Sequence, residues 1–160
     1  MNTDGADVLM CRIVRQYSAM LLHLAFSRLQ AEAEAEDCVQ EVFLKFLVKR
    51  PKFKDSEHEK AWLIRVTLNQ ASDLRKRYSG KTVPLEELPE SGANDHTSIL
   101  SAVRSLPDKY ASVLHLHYYE GYTLKEISTI LALPTATVGT RLARGKEKLK
   151  AILEEEYDGF

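Results

Sequence analysis

The sequence is poor in residues that break helices and in features that mark export. Only 7 Gly and 5 Pro occur among 160 residues, and long alternating β-branched runs are missing, whereas Ala, Leu, Glu, Lys and Arg are plentiful. That balance excludes a sheet-rich fold and favours an all-α one. The two cysteines, Cys11 and Cys38, stand too far apart and match no zinc or redox spacing, so both are expected to be buried or half-buried thiols of a reducing cytosol. The N-terminus MNTDGADVLMCRIVRQ lacks a continuous apolar stretch, and no run of about 18 apolar residues follows, so neither export nor membrane insertion is expected and the location expected is the cytoplasm. Paired carboxylates at a cleft, nucleophile motifs and Gly-rich phosphate loops are also missing, so no enzyme is expected. His23, His58 and His96 have no cysteine or carboxylate partner at zinc-like spacing. His115 and His117, two apart on a helix, point to nearly opposite sides. No metal and no cofactor are expected. The formal net charge is only −1, so any nucleic-acid surface must be local rather than global.

What is present is amphipathic periodicity. Leu9, Ile13, Tyr17, Met20, Leu21 and Leu24 recur at steps of three and four, which predicts a helix over 8–30. Val39, Val42, Phe43, Phe46 and Leu47 predict a second over 33–49, stopped by Pro51. Trp62, Leu63, Val66 and Leu74 predict a third over 59–78, ending in Arg75, Lys76 and Arg77. Residues 79–97 then combine Gly80, Pro84, Pro89 and Gly92 with Glu86, Glu87, Glu90 and Asp95 against Lys81 alone, and read as a flexible acidic linker. Beyond it four short helices are expected, at 99–106, 108–118, 123–132 and from Thr135 onward. The expected architecture is two small helical domains, 1–78 and 98–160, joined by the linker 79–97.

Charge separates these pieces. Residues 1–78 carry 13 Lys and Arg against 11 acids, the linker 1 against 4, and residues 98–160 carry 8 against 8. Within the last segment Arg141, Arg144, Lys146, Lys148 and Lys150 cluster before the acidic tail Glu154, Glu155, Glu156 and Asp158. Basic surface is thus concentrated at two helix ends, 75–77 and 141–150.

Three motifs deserve chemistry. In GYTLKEISTILALPTATVGTRLARG, Thr123 and Glu126 make a capping box, and two short helices meet through Ala132, Leu133 and Pro134. Val138 and Leu142 then share one face, leaving Thr137, Thr140, Arg141 and Arg144 exposed. This pattern fits a DNA-reading helix-turn-helix or an ordinary helical hairpin with a solvated face, and spacing leaves both open. On the third helix Trp62, Arg65, Asn69 and Asp73 line one side, which suits a stacking platform for a separated DNA strand; a tryptophan is also a usual core residue. On the second, Glu36, Asp37, Gln40 and Glu41 surround Phe43, which suits a solvated face or a protein-docking one.

Together, AEAEDCVQEVFLKFLVKRPKF, AWLIRVTLNQASDLRKR and LPDKYASVLHLHYYEGYTLKEISTILALPTATVGTRLARGKEKL resemble the successive regions of bacterial RNA polymerase sigma factors of the sigma-70 superfamily, extracytoplasmic-function (ECF) group. The resemblance covers roughly 9–78 and 98–152. It implies a non-enzymatic subunit that joins core RNA polymerase and directs it to promoter DNA. It further implies that Asp37, Gln40, Glu41 and Phe43 dock on the β′ clamp. Trp62, Arg65, Asn69, Arg75, Lys76 and Arg77 would handle the minus-ten element, where extracting a base costs a few kcal/mol of unstacking. Thr135, Thr137, Thr140, Arg141, Arg144 and Lys146 would read the minus-thirty-five element, with this domain leaning on the β flap. An anti-sigma factor is an expected further partner. Three positions depart from the family's habit: Cys38 replaces an aliphatic residue, Pro134 a capping Ser or Thr, and Gly139 a common Lys. Two other readings compete: a stand-alone helix-turn-helix regulator, which would bind DNA tightly without polymerase, and a helical adaptor that contacts only proteins.

Overall fold

The computed structural model describes residues 3–79 and 95–158; the core of the acidic linker, 80–94, lies outside them. The described residues form α1 (Thr3–Phe26), α2 (Glu32–Lys49), α3 (Ser56–Ser79), α4 (Asp95–Ser105), α5 (Asp108–Leu114), a single π-helical turn (His115–Tyr119), α6 (Leu124–Leu131) and α7 (Thr135–Asp158). No strand occurs among them.

Helices α1 to α3 pack as a three-helix domain. Of the apolar positions anticipated from periodicity, Ile13, Tyr17, Leu21 and Leu24 of α1, Val39, Val42 and Phe46 of α2, and Leu63 and Leu74 of α3 are buried, whereas Leu9 and Leu47 are 42 % and 43 % exposed. Cys38 and Ile64 complete the core, and Cys11 is exposed rather than buried. Each helix is thus held by its apolar stripe rather than by intrinsic propensity. Polar ties fix the register. Arg12 of α1 donates two hydrogen bonds to the Glu59 carboxylate of α3, at 3.0 and 2.8 Å, and the buried Tyr17 hydroxyl donates a third at 2.9 Å. The Arg12 hydrogen bond, aided by Tyr17, holds the Glu59 carboxyl below its ordinary value despite partial burial.

Several boundaries differ from expectation: α4 begins at Asp95, within the segment read as linker, and α7 runs from Thr135 to Asp158 rather than being short. The first helix stops at Phe26 rather than near residue 30, because Ser27 turns its hydroxyl onto the Leu24 carbonyl and Arg28 leaves the helix for partners elsewhere. Leu29 nevertheless fills the core from the turn at 1 % exposure, which is why the apolar rhythm runs on past the helix end. The helix expected at 108–118 is interrupted at His115, where one extra residue widens the turn into π geometry.

The second domain closes α5 and α4 against α7, and α6 against α7. The capping box forms as anticipated: the Thr123 hydroxyl accepts from the Glu126 amide at 3.1 Å while the Glu126 carboxylate accepts from the Thr123 amide at 3.1 Å. Ala132 in the left-handed region, φ 55°, then ends α6. The two domains are not separate bodies joined by a tether. Val113, Leu116, Ile127, Ile130 and Val138 belong to the same buried cluster as the core of the first domain, and α3 packs directly on α6.

Candidate nucleic-acid interface

Three surfaces carry the residues singled out from the sequence. On α2, Asp37, Gln40 and Glu41 are exposed while Phe43 is half-buried against the core. At about 100° per residue, Asp37, Gln40, Glu41, Leu44 and Val48 share one sector of the helix and Phe43 lies outside it. Leu44 and Val48 remain 52 % and 82 % exposed. An apolar strip framed by acids and an amide has a composition found at docking surfaces. Sequence reading missed Leu44 and Val48 because they fall outside the apolar stripe Val39, Val42, Phe43, Phe46 and Leu47.

On α3, Arg65 is half-buried and Asn69 exposed, one helical turn apart. Trp62 is half-buried, its ring edge-on to Phe46 at 5.9 Å and to Phe53 at 6.0 Å. Those rings hold the Trp62 indole in place, and they tie α3 to the end of α2. At the C-terminal end of α3, Lys76 and Arg77 are exposed. Arg75 behaves differently from its neighbours: its guanidinium donates to Asp108 at 3.0 Å and to the Arg104 carbonyl of the second domain.

On α7, Thr137, Thr140, Arg141 and Arg144 line one surface depression of about 350 Å³ together with Lys109 and Tyr110 of α5. Thr135, Thr140, Arg144 and Lys146 are exposed, whereas Thr137 and Arg141 are half-buried, more so than their spacing suggested. The Thr140 hydroxyl is turned back to the Ala136 carbonyl at 3.0 Å. Lys109 and Tyr110 precede the helix-turn-helix in the chain and reach this face only because α5 crosses α7, a contact that no local pattern signals.

The two glycines of α7 have different structural reasons. A Cβ on Gly145 would sit 3.2 Å from Leu114 Cδ1 and 3.3 Å from Tyr110 Cβ, so this buried position lets α7 approach α5 closely. Gly145→Val is therefore expected to destabilise the second domain by about 1–3 kcal/mol through overpacking, read as a lowered urea midpoint; an unchanged midpoint would show that the contact is not tight. A Cβ on Gly139 would meet only Leu124 Cδ1 at 3.9 Å. Space does not explain that glycine, and a larger side chain fits there.

No group of three His, Cys, Asp or Glu among the described residues is placed to hold a metal ion. His115 is buried and stacked on Tyr119 at 4.8 Å, while His117 accepts or donates through Nδ1 to the Tyr122 carbonyl at 2.9 Å. No described helix is long and apolar enough to cross a membrane.

Comparison with known proteins agrees with this arrangement. The family model described as Sigma-70 region 2 matches residues 13–81, covering the later part of α1 and all of α2 and α3. That for Sigma-70, region 4 matches 96–149, covering α4 through most of α7. The RNA polymerase sigma factor SigV of Bacillus subtilis is 32% identical over 139 residues, spanning 83% of this chain and 84% of its own. The ECF RNA polymerase sigma factor SigW of the same organism is 29% identical over 164 residues, spanning 89% and 88%. Among solved structures, the sigma factor RpoE bound to the anti-sigma factor NepR, from Bartonella quintana, shares the fold with a TM-score of 0.70 at 22% identity, over 89% of this chain and 95% of that one. CnrH in complex with the cytosolic domain of CnrY does so with a TM-score of 0.71 at 23% identity, over 91% and 88%.

Proposed function

Because the chain belongs to the sigma-70 family of RNA polymerase sigma factors, in its extracytoplasmic-function group, we propose a division of its surfaces among polymerase and promoter. It is a sigma factor, and it directs RNA polymerase to promoters for initiation. Residues 1–78 form the region that holds core polymerase and the minus-ten element; residues 98–160 form the region that reads the minus-thirty-five element. The exposed strip of α2, Asp37, Gln40 and Glu41 around Leu44 and Val48, seats on the β′ clamp. Arg65 and Asn69 engage the separated minus-ten strand, Trp62 supports them from the aromatic cluster, and Lys76 and Arg77 track its phosphates. Arg141 and Arg144, set around Thr137 and Thr140, enter the major groove. Thr135 and Lys146, exposed at either end of that face, contact phosphate. The groove between Leu114, Tyr118, Leu149 and Leu153, about 680 Å³, fits a helix of the polymerase β flap. The chain performs no catalysis itself and works in the cytoplasm, where the polymerase is. An anti-sigma factor is a natural further partner, as the two structural neighbours are each bound to one or to a cytosolic partner domain.

The observation that carries this reading is the joint placement of hydroxyls and cations on α7, with Lys109 and Tyr110 beside them, as one basic face. Arg141→Ala is expected to weaken promoter use by about 1–3 kcal/mol and to relax base preference at one minus-thirty-five position. Gly139→Lys, which has room, is expected to strengthen binding and steepen its salt dependence. Initiation assays on promoters carrying single-base changes, repeated across salt, measure both. An Arg141→Ala variant with undiminished promoter use and a flat salt response for Gly139→Lys would remove α7 from the DNA. A stand-alone regulator would instead bind the same promoters tightly without polymerase.

A further inference from the structure

One polar side chain of α2 leaves its own helix for α3. Lys45 follows Glu41 by one turn and sits next to Leu44, yet it is half-buried where both of them are exposed. A glutamate four residues before a lysine is the favoured arrangement for an ion pair along a helix. Among the described residues no such pair forms, and the Lys45 ammonium turns instead across to α3, where it donates to Gln70 Oε1. Holding an ammonium half out of water against a neutral amide costs hydration that a surface pair with Glu41 would have kept. The bond therefore adds little stability, and what it does supply is direction.

Gln70 is 8 % exposed and directly follows Asn69, which faces solvent. On the other side of Asn69, a second polar tie reaches the same turn from α2. The Cys38 thiol donates to the Thr67 carbonyl at 3.7 Å, and the fully buried Thr67 hydroxyl donates back to the Leu63 carbonyl at 2.7 Å. An aliphatic side chain at position 38 would fill the space without making that bond. Apolar packing holds α3 against α2 but is non-directional, so it leaves the roll of α3 about its own axis weakly specified. Hydrogen bonds are directional, and the two that cross from α2 meet α3 on either side of Asn69.

We propose that Lys45 is a positioning residue for base recognition in the minus-ten element: by holding Gln70 it fixes the turn of α3 that presents Asn69 to the separated strand. A side chain that reads a base must be held to within about 0.5 Å of its productive place by the residues behind it, and Lys45 supplies that support from the helix assigned to polymerase. This inference rests on the minus-ten role given to Asn69 above and adds to it the residue that orients Asn69. Lys45 itself touches no base, and its effect passes through Gln70.

The test uses the full chain with core polymerase on promoters that differ by single bases in the minus-ten element. Lys45→Met removes the donor and keeps the stem, Lys45→Arg keeps a donor, and Gln70→Leu removes the acceptor while leaving the Lys45 charge in place. Lys45→Met and Gln70→Leu should each reduce discrimination among bases at one minus-ten position by about tenfold, the scale of a hydrogen bond made by a charged group. Lys45→Arg should stay near wild type, and the double variant should be no worse than either single one. A direct phosphate contact by Lys45 would instead weaken all sequences alike, reduce the salt slope by about one and leave Gln70→Leu unaffected. That outcome, or full discrimination in Lys45→Met, would overturn the proposal. Should Lys45→Met lose its helical circular dichroism, Gln70→Leu decides alone. Asn69→Ala in the same assay separates the two levels. Full discrimination there would remove the minus-ten role of Asn69 and this inference with it, whereas discrimination lost in Asn69→Ala but kept in Lys45→Met would remove the inference alone.

Discussion

Glu41→Lys is expected to lower affinity for core RNA polymerase by about thirtyfold, near 2 kcal/mol, the scale of reversing a charge that pairs across an interface. The position is exposed at mid-helix, beside Leu44 and Val48, which are 52 % and 82 % exposed. Two apolar side chains left in water over one sector of α2 are a cost that a partner recovers by covering them, and Asp37, Gln40 and Glu41 then supply orientation at their edge. Under the proposed seating on the polymerase, reversing this charge removes an acidic contact at the rim of the strip and replaces it with a cation. Because Glu41 faces away from the α1–α3 core, thermal stability should not move. Pull-down or fluorescence titration with core polymerase reads the effect directly. Wild-type affinity in this variant would take α2 out of the polymerase interface, whatever α7 does on DNA.

The second large effect is on stability at alkaline pH. Burial, and then the hydrogen bond to the Glu59 carboxylate, push the Tyr17 hydroxyl from 10.0 up to about 12. Burial pushes the Cys38 thiol from 9.0 up to about 12. Both groups hold their protons more tightly in the folded chain than in the unfolded one. Their contribution is therefore whole below about pH 9 and is lost as pH rises toward 12. At about 1.4 kcal/mol per unit and per group, the first domain should lose several kcal/mol over that interval, a large part of the roughly 5–15 kcal/mol of an ordinary domain. Urea midpoints between pH 8 and 11.5 should fall steeply, and Cys38→Ala should make the fall shallower. A flat profile would mean that water reaches these groups and that α1, α2 and α3 are less tightly closed than described.

How far the sequence carried can be seen in particular residues. Helix α6 was legible to the residue at its start, because Thr123 and Glu126 satisfy each other's amides through a purely local pattern. Pro51 punctuated α2 for an equally local reason: a proline cannot continue an α-helix from within. The end of α1 was not legible, because what stops it is the demand of Asp108, Val103 and Leu106 on Arg28 from 75 to 80 residues away. The π turn at His115–Tyr119 was hidden for a related reason. A single widened turn leaves the apolar rhythm nearly intact, and it is fixed by the packing of its neighbours.

The candidate surfaces divide in the same way. Composition and spacing found the hydroxyls and arginines of α7, since exposed polar residues on an otherwise periodic helix stand out. They did not find Leu44 and Val48, which lie outside the apolar stripe and are left exposed by the fold. Nor did they show that Arg75, grouped by sequence with Lys76 and Arg77, points the other way round the helix into Asp108. The placement of Trp62 between Phe46 and Phe53 likewise needed α2 and α3 to be set side by side. Gly145 and Gly139 look alike in sequence, yet one admits a close helix crossing and the other has room for a Cβ in ordinary contact with Leu124.

The central claim is that this chain confers promoter choice on RNA polymerase. Genome-wide run-off transcription with core polymerase, with and without the purified protein, tests it most directly. The expected result is a set of new start sites that share two upstream elements, near minus ten and minus thirty-five, and that vanish when the protein is omitted. Identical transcript starts with and without the protein would contradict it.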